Sequence, residues 1–216
     1  MVSPASADPS KDLQKPKPCR THSDHDIDQP PCNSYLSVMA IRPIIEAPDL
    51  RLRLKSKPVE TIDDDLRTLV ADMFETMYDA RGIGLAAIQV GEPLRLLVID
   101  LQREVEGENG EEPRTINDPR VFINPEILEP AKETKVYNEG CLSVPDQYAD
   151  VERPATCRAR WMDLDGVQHD ERIDGMLATC LQHEMDHLEG ILFIDHLSRL
   201  KREMVLRKLA KLKKAA

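Results

Sequence analysis

QHEMDHLEG, residues 182–190, places a glutamate between two histidines four apart: His183, Glu184 and His187. On an α-helix a spacing of four leaves side chains about 40° apart around the axis, so both imidazoles reach one point in space. That geometry suits a metal ion, and the carboxylate between them suits a base. The flanking residues favour the helix. Asp174 offers an N-cap and Gly190 a stop. Met176, Cys180, His183 and His187 share one stripe, leaving Leu177, Leu181 and Leu188 to face a core.

Outward from this helix the chain reads as short strands and a few other helices. Residues 63–80, DDDLRTLVADMFETMYDA, carry Leu66, Leu69, Val70, Met73, Phe74 and Met77 at helical spacing behind aspartates that suit an N-terminus. LRLLVIDL (94–101) and VFINPEIL (121–128) read as strands. The acidic, turn-rich segment between them, 103–120, reads as a solvated loop. VYNEGCLSVP (136–145) enters a turn. TCRARWMDLDG (156–166) alternates Cys157, Ala159 and Trp161 with Arg158 and Arg160, then returns through an Asp-Gly turn as a hairpin. A last helix fills 196–214, with Leu197, Leu200, Met204 and the leucines beyond as its apolar stripe. Strands without βαβ alternation give an α+β plan: short antiparallel strands and hairpins around a central metal-binding helix, with a C-terminal helix.

Composition sets limits on this plan. The 216 residues support one substantial core, and 41% hydrophobic with 31% charged residues is ordinary for a globular chain. Net charge is −10, which argues against nucleic-acid binding driven by overall charge, and against specific DNA binding. The five cysteines form no CxxC pair and no regular framework, so they read as free thiols. No run approaches the roughly 18 apolar residues that span a bilayer. Residues 1–38 are proline-broken and polar, lack a secretory h-region, and read as a disordered extension. The single domain then occupies 39–216, and Met39 is a candidate start of translation.

Two histidines leave a metal site unfinished; a third protein ligand is expected. A histidine three residues past Gly190 would complete one protease pattern, but that position is Phe193. A glutamate on a later helix would complete another. Glu189 is too close, and Glu203 sits in a lysine- and arginine-rich run. Upstream, EGCLS (139–143) offers Cys141, whose thiolate binds borderline metals well, although a cysteine there also reads as a small buried hydrophobe. GIGLAAIQ (82–89) has glycines that allow close backbone approach and Gln89 as an amide donor, or is simply a loop entering a strand.

Together, in this order and at these spacings, GIGLAAIQ, EGCLS and QHEMDH resemble the three signature motifs of peptide deformylase. MAIRPIIEAPDLRLRLKSKPVE and DMFETMYDARGIGLAAIQVG are also similar to that family's N-terminal segment and first helix, so the resemblance runs from Met39 to about Lys214. It implies Cys141, His183 and His187 as ligands to one divalent ion, Fe²⁺ by preference, with Zn²⁺, Ni²⁺ or Co²⁺ in purified protein. It implies that Glu184 moves protons, while the Gln89 amide and the Leu142 N–H face the oxyanion. Ile83, Gly84, Met176, Cys180 and Arg153 then contact substrate. The implied reaction is removal of formate from N-formylmethionyl peptides and nascent chains in the cytoplasm, with the basic C-terminal helix docking on the ribosome. Two residues depart from the family's habit: Tyr148, where many relatives have arginine, and Thr179, where an aliphatic residue is common. A non-catalytic ribosome-binding relative would be free to lose Glu184, Gln89 or Cys141, and all three are present.

Overall fold

Residues 40–105 and 114–215 are described by a computed structural model of the chain. The polar extension expected over 1–38, and the start at Met39, lie outside the described residues.

Helix α1 (Asp64–Asp79) begins where expected and for the expected reason: the Asp63 side chain accepts a hydrogen bond from Leu66 N at 2.9 Å. Leu66, Leu69, Val70, Met73 and Met77 are buried along one face. Nine strands follow among the described residues: β1 (Gly84–Ala86), β2 (Leu96–Ile99), β3 (Arg103–Val105), β4 (Arg114–Ile116), β5 (Arg120–Pro130), β6 (Thr134–Cys141), β7 (Val144–Pro154), β8 (Thr156–Met162) and β9 (Gln168–Asp174). Five of them form an antiparallel sheet in the order β1-β2-β5-β8-β9.

Strand β2 shows why the sheet needs a helix on each side. Its four residues are all buried, Leu96 and Val98 against α1, Leu97 and Ile99 in the cluster that contains Ala178, Leu181 and Leu188 of helix α2 (Gly175–Leu188). Successive side chains of a strand point to opposite faces, so a continuous apolar run here means two covered faces. The α2 helix thus lies across the sheet with one side in the core. Its other side meets the β6–β7 hairpin, a separate two-stranded sheet whose register runs from Thr134↔Pro154 to Cys141↔Val144. Leu142 and Ser143 make its tight turn. A third cluster joins Val144 and Val151 of this hairpin to Phe193, Ile194 and Leu209 of helix α3 (Arg199–Ala215) and the 3₁₀ turn before it.

Three expectations need correction. The 103–120 segment is not all loop: β3 and β4 pair antiparallel, which their shortness and charged composition conceal in the sequence. Asp174 stands at the N-cap position of α2, but its side chain makes no capping hydrogen bond. The inward stripe of α3 is Val205, Leu206 and Leu209; Leu200 and Met204 are 70% and 52% exposed. No helix among the described residues is long and apolar enough to cross a membrane.

Candidate metal centre

Cys141 ends β6, and His183 and His187 lie one turn apart on α2, where the hairpin meets the helix. One donor atom from each of the three falls within 4.8 Å of the others. The Cys141 sulfur lies 3.2 Å from His187 Nε2. Strand geometry supplies a further group. Glu139 is two residues before Cys141, hence on the same face of β6. Its Oε2 is 2.8 Å from His183 Nδ1. A carboxylate there keeps the proton on Nδ1 and leaves the Nε2 lone pair for a ligand, the usual outer partner of a metal-bound imidazole.

Glu139 is itself held. Arg153, from β7, donates to both its oxygens at 2.6 and 3.0 Å, and to Asp186 Oδ2 at 2.8 Å. Asp186 Oδ2 also meets His196 Nε2 at 2.7 Å. Burial opposes ionisation of Glu139, but His183 and Arg153 outweigh it and hold the carboxyl at about 2. Arg153 is therefore not where substrate contact was expected. It is buried behind the ligands, its guanidinium engaged by two carboxylates, and it does not line the cleft.

Their surroundings push the two histidines in opposite directions. Burial works against a charge on His183, yet Cys141 and Glu139 raise its pKa well above the ordinary value. Burial lowers that of His187, and the His183 and Arg153 charges lower it further. An ion bound to these donors would displace the proton from His183. Two buried polar atoms beside the donors, Glu184 Oε2 and His187 Nδ1, have no protein hydrogen-bond partner. One soft thiol sulfur, two imidazoles and an adjoining carboxylate that is free to serve water fit a single borderline divalent ion.

Glu184 points at this point from α2. Burial pushes its carboxyl up to about 7, the His183 charge opposing and the Glu139 charge adding. It packs against Gly84, where an added β-carbon would stand 2.5 Å from Glu184 Oε1 and 2.7 Å from the Cys180 sulfur. The glycine thus clears room for the carboxylate itself, a reason the sequence pattern alone did not show. Gln89, fully buried, accepts from Ala86 N at 2.8 Å through Oε1, which turns its amide N–H groups toward Ser143 Oγ (3.1 Å) and the Cys141 sulfur (3.6 Å).

A cleft of about 810 Å³ opens over the trio. Ile83, Gly84, Gln89, Leu142, Met176 and Cys180 line it, as do Tyr148 and Thr179. Of the residues expected at the site, only Arg153 stands apart from both the trio and the cleft. Glu139 and Asp186 were missed, although the same-face spacing of Glu139 and Cys141 could have pointed to the first.

A half-buried sulfur with two buried imidazoles beside an acid of raised pKa, at the floor of an open cleft on an α+β frame, defines a metal-dependent hydrolase. The polypeptide deformylase family matches residues 41–203, and the chain belongs to that family. A peptide deformylase of Rhizorhabdus wittichii is 69% identical over 177 residues, covering 82% of this chain and 98% of that protein. One of Novosphingobium aromaticivorans is 66% identical over 188 residues, covering 82% and 100%. Among solved structures, the Legionella pneumophila peptide deformylase shares 48% identity at a TM-score of 0.71, over 82% of this chain and 97% of that one. The Ehrlichia chaffeensis enzyme in complex with actinonin shares 40% at 0.72, over 80% and 98%. The chain is a metallohydrolase that removes the formyl group from N-terminal formylmethionine.

Proposed function

We propose that Cys141, His183 and His187 hold the ion and that Glu184 carries the proton traffic of deformylation. The convergence of three donors within 4.8 Å, beside a buried carboxyl raised to about 7, carries this reading. When bound, the ion supplies a Lewis acid for the formyl oxygen and acidifies a water. Glu184 takes the proton of the attacking water and delivers it to the departing amine, a role suited to an acid whose pKa lies near neutrality. The amide of Gln89, oriented by Ala86 N, donates toward the charge that grows on the formyl oxygen. Leu142 N–H, at the hairpin turn and outside the strand ladder, donates from the other side.

Ile83, Gly84, Met176 and Cys180 receive the methionine end of the substrate. Burial raises the Cys180 thiol well above its ordinary pKa, so it presents a neutral, apolar wall. Strand β1 is the end strand of its sheet, and its open edge can accept the peptide backbone as an added strand. The ion is Fe²⁺, with Zn²⁺, Ni²⁺ and Co²⁺ compatible with the same donors. The enzyme works in the cytoplasm on nascent chains, and the cations of α3 bring it to ribosomal phosphates.

The test is metal analysis of anaerobically purified protein paired with hydrolysis of formyl-Met-Ala-Ser. Stoichiometric iron with activity is expected, and Cys141→Ser should lose metal and activity together. Parent-like metal content and activity in Cys141→Ser would remove Cys141 from the site.

A further inference from the structure

Tyr148 is the large aromatic side chain that the cleft leaves in water. It is 70% exposed, yet it lines the cleft, on β7 directly opposite Gly140, the residue before the Cys141 ligand. Its ring lies over that glycine so closely that a β-carbon at 140 would stand 2.6 Å from the ring. Just before it β7 is irregular, its register with β6 shifting between the Gly140 and Cys141 pairs. Asp146 takes a left-handed φ of 56°, and the Gln147 amide donates to Asp146 O at 2.7 Å. Asp146 also lines the cleft and is exposed. The rim beside the catalytic centre thus carries an aromatic face with a carboxylate two residues away. Arg81, a cation of the lining, follows the end of α1 and adjoins Gly82 and Ile83, on the side assigned to methionine.

This placement has a consequence for the substrate, and it rests on the assignment of Ile83, Gly84, Met176 and Cys180 to methionine. An extended peptide alternates its side chains, so the residue after formylmethionine projects away from the methionine pocket. One residue of extended chain covers roughly 3.3 Å, about the step from Cys141 to Gly140. The second side chain therefore reaches the rim where Tyr148 stands. A cation over a tyrosine face at an exposed site gains about 0.5–1 kcal/mol, which is about a two- to five-fold effect. Asp146 adds attraction for the same charge and repulsion for the opposite one. We infer that Tyr148 is a specificity-determining residue: with Asp146, it selects formylmethionyl peptides whose second residue is cationic over those whose second residue is acidic.

A structural alternative exists, because an aromatic ring across a strand pair can simply cover a glycine. The two roles separate in a ratio. A ring that only covers Gly140 changes every peptide by one factor when removed; a specificity residue changes the peptides unequally. The experiment measures kcat/KM of the metal-loaded full chain for formyl-Met-Arg-Ala and formyl-Met-Glu-Ala at one ionic strength. The parent should prefer the arginine peptide. That preference should fall about two- to five-fold in Tyr148→Ala and in Tyr148→Leu, which keeps apolar cover over Gly140 but has no aromatic face. It should persist in Tyr148→Phe and fall in Asp146→Asn. An unchanged preference in both the alanine and leucine variants overturns the proposal. So does a parent with no preference. Failure of the parent to deformylate either peptide would instead overturn the site assignment beneath it.

Discussion

Helices α2 and α3 both have an apolar stripe and a polar remainder, but they use the polar residues in opposite ways. In α2 the polar side chains, apart from the half-buried Asp186, are buried: Thr179, Gln182, His183, Glu184 and His187 are all under 9% exposed. Each buried polar group must be partnered or have work to do, because an unpaired one is costly. Gln182 satisfies Pro154 O and Ala178 O, His183 meets Glu139, and the two atoms left without protein partners sit at the metal centre. In α3 most polar side chains among the described residues are exposed, and its packed stripe is Val205, Leu206 and Leu209. Polarity inside a fold marks chemistry more sharply than polarity on its surface.

The largest expected effect comes from breaking the one group of α2 assigned to proton transfer. Glu184→Gln removes the base while keeping shape, and should lower kcat by about 10²–10⁴-fold. Metal stoichiometry and thermal unfolding should stay near those of the parent. Activity within a few-fold of the parent would strip Glu184 of the role.

Arg153 tests the layer behind the ligands. Arg153→Ala takes the cation from the buried Glu139 carboxylate and from the half-buried Asp186, and breaking a buried pair of this type costs about 3–5 kcal/mol. It should also weaken metal affinity by about 10- to 100-fold, because Glu139 orients His183. A variant altered only in KM, with the parent's melting temperature and metal affinity, would return Arg153 to the substrate surface. The same network predicts an acid limit. The folded pKa of Glu139, about 2, is depressed from 4.5. Its contribution, roughly 3 kcal/mol from the size of that shift, is therefore complete above pH 4.5 and lost as pH falls toward 2. Urea unfolding of the parent and Glu139→Gln from pH 6 to 3 should show the parent's advantage shrinking below pH 4.5. A constant difference would mean that the charge of Glu139 contributes nothing.

The contrast between the helices also explains what the sequence could show. Helix α1, the Asp-Gly hairpin and the placement of His183 and His187 on one stripe of α2 were legible, since each follows from spacing and from local turn or cap chemistry. Gln89 and Cys141 became meaningful only as parts of three ordered motifs, because each alone has an ordinary structural reading. Arg153 was misplaced because its partners are set by strand register and by a helix 33 residues further on, neither of which is local. The α3 stripe was misjudged because Leu200 and Val205 are equally apolar in sequence, and only the position of Phe193 and the β7 strand decides which is covered.

The smallest effects belong to α3, where two kinds of substitution should part company. Leu209 is 1% exposed and packs with Val144, Val151 and Phe193. Leu209→Ala should cost about 2–3 kcal/mol, at the low end for a buried leucine because a helix near the chain end can shift to fill the gap. Removing residues 207–216 outright would therefore confound charge with core. Replacing Arg207, Lys208 and Lys211 by Gln keeps Leu209 and removes three cations; Arg207 pairs with Glu203 of its own helix. Surface changes of this kind alter stability by about 0.5 kcal/mol or less, and deformylation of a short peptide should be unchanged within two-fold. If α3 engages ribosomal phosphates, co-sedimentation with ribosomes at low salt should drop in the triple variant. Its salt dependence should also flatten, by close to one unit of log–log slope for each phosphate that is no longer neutralised. Leu209→Ala, assayed at a temperature where it remains folded, should pellet as the parent does. Equal pelleting by all three proteins would leave α3 as a strut for the β6–β7 hairpin and assign its cations to solvent.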